Sequence, residues 1–487
     1  MLILSIVLPV LLGLGILLKG EFKSRSQLLA VTGLGLAATA ALALGVVFGG
    51  ETELLLYSFG DNLDLYFHVD ALGRLFAVVV NLAWVLSGIY AFEYMKHEQE
   101  ETRFFGFYLM VQGTLNGLVF AGGMVTYYLF YELMTLLSVP LILHNRSKEA
   151  IKGGLKYLFY SLFGAYMVLF GIFFLNRFGS SLNFLPGGTL NLSAVAGNEQ
   201  LMRVVAFAMI IGFSVKAGMF PLHAWLPTAH PVAPAPASAV MSGIIVKMGV
   251  LGMIRSVYYL VGADFIRGTW VQTVWLSLAL VTVFMGSMLA YREKVMKKRL
   301  AYSTVSQASY ILFGLALLQP QGMTGALLHV VFHAVIKSCL FLSAGAIIYK
   351  THKTKVEDLR GIGKEMPVTI WCYTFAAAAL IGIPPASGFI SKWYLATGAL
   401  DSGLEIFSWL GPVVLLTSAL LTAGYLLPIT VNGFLPGADY DYSALEKKEP
   451  NQTMLIPLLV FAALAVLLGL LPGSLTNFIA GIVSGVL

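Results

Sequence analysis

The chain has 487 residues, 58% of them hydrophobic and 11% charged. Soluble globular chains carry about 25% charged residues, so the composition excludes a soluble domain with a single anchor. Only two cysteines occur, Cys339 and Cys372, both in apolar runs, which excludes a disulfide scaffold or a cysteine-ligated cluster.

About 20 apolar residues cross a bilayer, and such stretches recur from end to end. The predicted fold is an all-α polytopic membrane protein with about fourteen spans. The first, 1–18, has no basic residue before its apolar core; Lys19, Lys23 and Arg25 follow it. That order argues against a signal peptide and for a span whose N-terminus lies outside. The second span is 28–49. Loop 50–69 alternates like a short hairpin around a Gly-Asp-Asn turn. Further spans follow at 70–92, 104–121, 124–143, 155–176, 201–221, 236–260, 270–291, 300–318, 323–348, 367–398, 408–434 and 453–472. Pro221 interrupts the seventh, and Pro384-Pro385 the twelfth.

Basic residues favour the cytoplasmic side. With the N-terminus outside, Lys and Arg crowd the inner loops, as in 292–299 and 350–364, while the outer loops hold only Arg177, Arg203 and Arg267. Loop 50–69 is acidic, with Glu51, Glu53, Asp61 and Asp64. The net charge of +6 thus sets the topology and is no nucleic-acid surface. Both termini are expected outside, in a cell's inner (plasma) membrane.

Glu132, Lys216, Lys247, Lys337 and Lys392 fall inside apolar segments. A charge at the bilayer centre costs about 2.5–3.5 kcal/mol even on the lenient insertion scale. Such groups usually mark ion or proton paths, although a lysine near a helix end can instead snorkel to the headgroups. His329, His333 and Lys337 recur every fourth residue and share one helical stripe. Histidine carries a proton near neutral pH; the plainer alternative is a histidine satisfied within the bundle. A metal or haem on the HxxxH pair lacks the accompanying HExxH base or cysteines, and neither metal nor other cofactor is expected.

Prolines 221, 384 and 385 remove backbone donors and open their helices. Paired interrupted helices in two halves of a transporter point to its ion path; an ordinary kink is the alternative. The breaks lie five segments apart. Five is odd, so a repeat of spans 4–8 in spans 9–13 has inverted topology. Four portions result: 1–103 with three spans, 104–262 and 263–435 as the inverted five-helix repeats, and 436–487 as a last span and tail.

Five motifs, in order, resemble one family: "FSVKAGMFPLHAWLPTAHPVAPAPASAVMSGIIVKMG", "KKRLAYSTVSQASYI", "LLHVVFHAVIKSCLFLSAGAII", "VEDLRGIGKEMP" and "GIPPASGFISKW". They resemble the antiporter-like subunits of respiratory complex I, Mrp-type cation/proton antiporters and energy-converting membrane hydrogenases. The resemblance covers residues 70 to 470. It implies fourteen core helices and a mid-membrane row of polar residues that translocates protons, with Na⁺ left open. Glu132 falls at the family's fifth-helix glutamate, Lys216 at the lysine of the broken seventh, and Lys247 at the central lysine of the eighth. His329, His333 and Lys337 fall at the eleventh-helix positions, and Lys392 at the terminal charge of the twelfth. Some relatives carry glutamate there; a lysine resembles the D-type Mrp subunit and some complex I and hydrogenase subunits. The implied partners are other membrane subunits, including further antiporter-like ones.

In the mechanism this suggests, Glu132 approaching or leaving Lys216 switches that lysine's hold on its proton. The row Lys247, His329–His333–Lys337 and Lys392 relays charge, and the helix breaks admit water. Two other readings compete: a redox protein with its own haem on His329 or His333, and a non-conducting scaffold. The motifs do not separate an Mrp antiporter from a hydrogenase- or complex I-like assembly.

Overall fold

Every expected segment is helical in the structure, a computed structural model describing residues 1–50, 52–60, 62–441 and 446–487. Glu51 and Asp61, assigned to the acidic loop and its turn, lie outside the described residues. The first six helices are α1 (Leu2–Lys19), α2 (Arg25–Phe48), α3 (Ala71–Tyr94), α4 (Glu101–Val119), α5 (Met124–Ile142) and α6 (Lys148–Phe178). The seventh segment is split into α7 (Glu199–Ala217) and α8 (Leu226–Val232). Next come α9 (Ala235–Val261), α10 (Trp270–Arg292), α11 (Met296–Ala316) and α12 (Pro320–Thr351). The twelfth segment is split into α13 (Pro367–Ile381) and α14 (Ser387–Leu400), and α15 (Glu405–Phe434) and α16 (Gln452–Leu470) follow. A last helix, α17 (Gly473–Ser484), occupies what was expected to be a tail.

Among the described residues, 11 helices are long and apolar enough to cross a membrane. The other three segments fall short for identifiable reasons. α4 and α11 carry polar and charged residues, and the twelfth segment is cut into pieces of 15 and 14 residues. Successive segments pack on one another throughout both proposed repeats.

The hairpin of loop 50–69 is present. β1 (Glu53–Ser58) pairs antiparallel with β2 (Asp64–His68), with an irregularity between Leu55 and Tyr57. It docks on the end of α4 through His68 N–H to the Phe120 carbonyl and Gly122 N–H to that of Tyr66.

Two helices form the centre. The apolar window of α9 is 100% buried and that of α12 is 94% buried, so other helices surround both. α9 achieves this with small residues (Ala235, Ala237, Ala239, Ser242, Gly243, Gly249), which let helix backbones approach closely. Its C-terminal end is fixed by a two-pronged ion pair: Arg255 Nη1 and Nη2 reach the Asp70 carboxylate at 2.5 and 2.7 Å. Asp70 also caps α3 by accepting from Gly73 N–H.

Candidate functional site

Both breaks use one local device. α7 ends on Gly218 at φ 79° and α13 on Gly382 at φ 94°, in the left-handed region that favours glycine. At each end the glycine N–H bonds back to Val215 or Ala379, and the next residue's N–H to Ser214 or Ala378. Three residues after each glycine stands a proline, Pro221 or Pro385, behind a cis peptide bond.

Each break also gathers an ammonium at the negative end of its first half-helix, where a cation is favoured. Lys216 lies in the last turn of α7. Lys392 lies on α14 and reaches back to the α13 carbonyls of Leu380 and Ile381, at 2.6 and 2.9 Å. At the first break the Val215 carbonyl, which accepts from Gly218 N–H, also accepts from the Trp225 indole N–H at 2.8 Å.

Lys216 is fully enclosed. Its Nζ donates to Thr135 Oγ1 at 2.8 Å, Tyr157 hydroxyl at 2.9 Å and Ser161 Oγ at 2.9 Å. Glu132 stands one turn before Thr135 on α5 and forms no ion pair with Lys216 among the described residues. Its Oε1 is buried without a hydrogen-bond partner. The two charges lie near enough to act on each other, but a hydroxyl cage, rather than the carboxylate, holds the ammonium.

Lys247 sits at the middle of the molecule, after a wide π-helical turn at Met241–Ile245. Such turns disrupt regular helix bonding and concentrate at functional sites. Its Nζ donates to the Ser242 carbonyl at 2.5 Å and contacts His333 Nδ1. The His333 ring lies 5.8 Å from that of His329, and His329 Nδ1 meets Ser391 Oγ at 2.9 Å. Ser391 is the neighbour of Lys392, which also lies 5.1 Å over the Tyr310 ring. Lys337 completes the stripe at the other end and donates to the Leu300 carbonyl at 3.1 Å. His329, His333 and Lys337 are all buried within the bundle, away from its surface.

The structure therefore brings Lys247, His333, His329 and, through Ser391, Lys392 into one contiguous run. Glu132 and Lys216 form a second group, and no hydrogen bond links Lys216 to Lys247.

Two further groups escaped the sequence reading as site residues. His230, within the proline-rich motif, is fully buried; both ring nitrogens lack partners and its ring stacks 4.7 Å from Phe341. Lys297, counted among the loop cations, lies buried in the first turn of α11 with its Nζ on the carbonyls of Pro231 and Ala233. Its signal was the position of "KKRLAYS" at the very start of a span.

Residues 121–422 match the family described as NADH:quinone oxidoreductase/Mrp antiporter, TM, and residues 57–105 match the complex I chain 5 N-terminus. The chain belongs to this family of antiporter-like membrane subunits. It is 31% identical over 415 residues to NADH-quinone oxidoreductase subunit N of Desulforudis audaxviator, covering 82% of this chain and 81% of that one. It is 32% identical over 430 residues to hydrogenase-4 component B of Escherichia coli, covering 84% of this chain and 62% of that longer protein. A subunit in the structure of the Mrp complex from Dietzia sp. shares the fold, with TM-score 0.85, 22% identity, and coverage of 100% and 97% of the two chains.

Proposed function

We propose that this chain conducts protons, alone or in exchange for Na⁺, as one membrane subunit of a larger complex. The observation that carries the reading is the buried row on α9, α12 and α14: Lys247 contacts His333, the His333 and His329 rings lie 5.8 Å apart with both Nε2 atoms unpartnered, and His329 meets Ser391 beside Lys392. An imidazole passes a proton by taking it on one ring nitrogen and releasing another from the second. His333 receives at Nδ1 from the Lys247 ammonium and releases from Nε2 to a water between it and the unpartnered His329 Nε2, and the ring returns to neutrality in its other tautomer. Lys392 serves as the terminal station. Glu132 and Lys216 serve as the switch, with Thr135, Tyr157 and Ser161 holding the ammonium while Glu132 modulates it at a distance.

The four portions 1–103, 104–262, 263–435 and 436–487 serve as entry spans, two conducting repeats and a closing span. The partners are other membrane subunits, further antiporter-like chains among them, in a cell's inner membrane with both termini outside. Likeness to subunits named for NADH-quinone oxidoreductase, hydrogenase-4 and Mrp supports such an assembly without choosing among them. The relatives, named as oxidoreductase, hydrogenase and antiporter subunits of this ion-translocating family, support transport over a haem of its own on His329 or His333.

The test is proton uptake by membrane vesicles carrying the intact complex. Lys247→Ala is expected to lower uptake at least tenfold with subunit composition unchanged. Normal uptake in that variant would sink the relay.

A further inference from the structure

An apolar cleft of about 460 Å³ lies on the side of α12 away from the relay. Phe48 ends α2 at its mouth, Leu82 lines it from α3, Val335 closes its floor from α12, and Leu468 and Phe478 flank it from α16 and α17. One charged side chain, Arg74 in the first turn of α3, joins this lining.

Arg74 has no counterion among the described residues. Asp70, one turn earlier, is committed to Arg255 and to Gly73 N–H. Arg74 Nε and Nη2 are buried and make no hydrogen bond. Arg74 as a whole is half-buried, and two guanidinium nitrogens withdrawn from solvent without a partner are costly, so the arrangement lacks an anion at the end of an apolar slot. The planar guanidinium matches a phosphate's oxygens two at a time.

The dimensions decide what accompanies the anion. From Arg74 to Leu82 the cleft runs about 12 Å along α3. That approaches one leaflet of a hydrocarbon core about 30 Å thick. The cleft, apolar along that length with one guanidinium at the end, matches an acyl chain carrying an anionic head. We propose that it is a binding site for an anionic phospholipid, with one acyl chain against α3, α12 and α16 and its phosphate on Arg74. An anionic headgroup is favoured over a zwitterionic one because it brings no ammonium to compete with the guanidinium.

The experiment uses the whole purified complex in nanodiscs of phosphatidylcholine with and without phosphatidylglycerol. Lipid retained after delipidation is read by native mass spectrometry. Wild type is expected to retain phosphatidylglycerol about tenfold over Arg74→Gln, Arg74→Lys to retain most of it, and Leu82→Trp, which fills the slot, to lose it. Equal retention by wild type and Arg74→Gln overturns the proposal, as does displacement of the lipid by inorganic phosphate alone. Photoactivatable phosphatidylglycerol on the unsubstituted complex covers the case in which a variant misfolds. Attachment to α3, α12 or α16 at the cleft supports the site. Attachment only elsewhere, or capture of a neighbouring subunit by a photoreactive residue at position 82, refutes it.

Discussion

Lys216 shows how a lone cation is kept in a bilayer. Three hydroxyls from α5 and α6 accept its hydrogen bonds, and the rings of Tyr157 and Tyr131 lie 4.3 and 5.4 Å away. A hydrogen bond to a charged group contributes about 1.5–3 kcal/mol, roughly tenfold or more in an equilibrium. Tyr157→Phe removes one such bond while keeping the ring, so transport is expected to fall about tenfold with assembly intact; unchanged vesicle transport would mean the cage is ornamental. The charged members of the site were legible because ionisable residues stand out in apolar sequence. The cage was not. Thr135, Tyr157 and Ser161 lie 55 to 81 residues from Lys216, and hydroxyl residues are common in such helices. His230 was hidden by its neighbours: it stands among prolines outside the apolar segments, and only the stack on Phe341 reveals a buried ring.

At the scale of elements, the two breaks differ in what their glycines protect. A Cβ at Gly382 would stand 3.1 Å from Lys392 Cδ, whereas at Gly218 it would meet Leu226. The left-handed conformation costs a non-glycine residue about 1–2 kcal/mol at either site. Gly382→Ala is therefore expected to lose more transport than Gly218→Ala, even where Gly218→Ala unfolds at the lower temperature. Vesicle transport and thermal unfolding of the two variants check the order; a Gly382→Ala complex that conducts normally would free Lys392 from its carbonyl seat. The breaks were legible from Pro221, Pro384 and Pro385. The π-helical turns before Lys247 and at Val257–Val261 were not. Turn width depends on packing against neighbours, and α9 is hemmed in along its whole length.

At the scale of the molecule, the proposed direction of threading rests on the uneven distribution of Lys and Arg among the loops. Lys297 and Arg299 turn out to be buried in α11, with Arg299 bonded to the carbonyls of Glu293 and Tyr425. They serve packing, and the remaining cations of the loops proposed to face inward still outnumber those of the loops proposed to face outward. Single cysteines replacing Lys353 and Ser58 are expected to react with impermeant reagents from opposite faces of the membrane. The native Cys339 and Cys372 are buried and should stay silent. Labelling of both from one face would reverse the count of spans between them.

The burial of α11 bears on how the chain is made. Nearly every residue of this helix faces protein, and its first turn carries Lys297, Lys298 and Arg299. Alone it is too polar to leave the insertion machinery for lipid. Residues 293–295 join it to α10, whose apolar span packs along it. The two helices are therefore expected to enter the bilayer together as a hairpin, α10 carrying α11, and α11 keeps α10 as a partner while adding α12 once that has been synthesised.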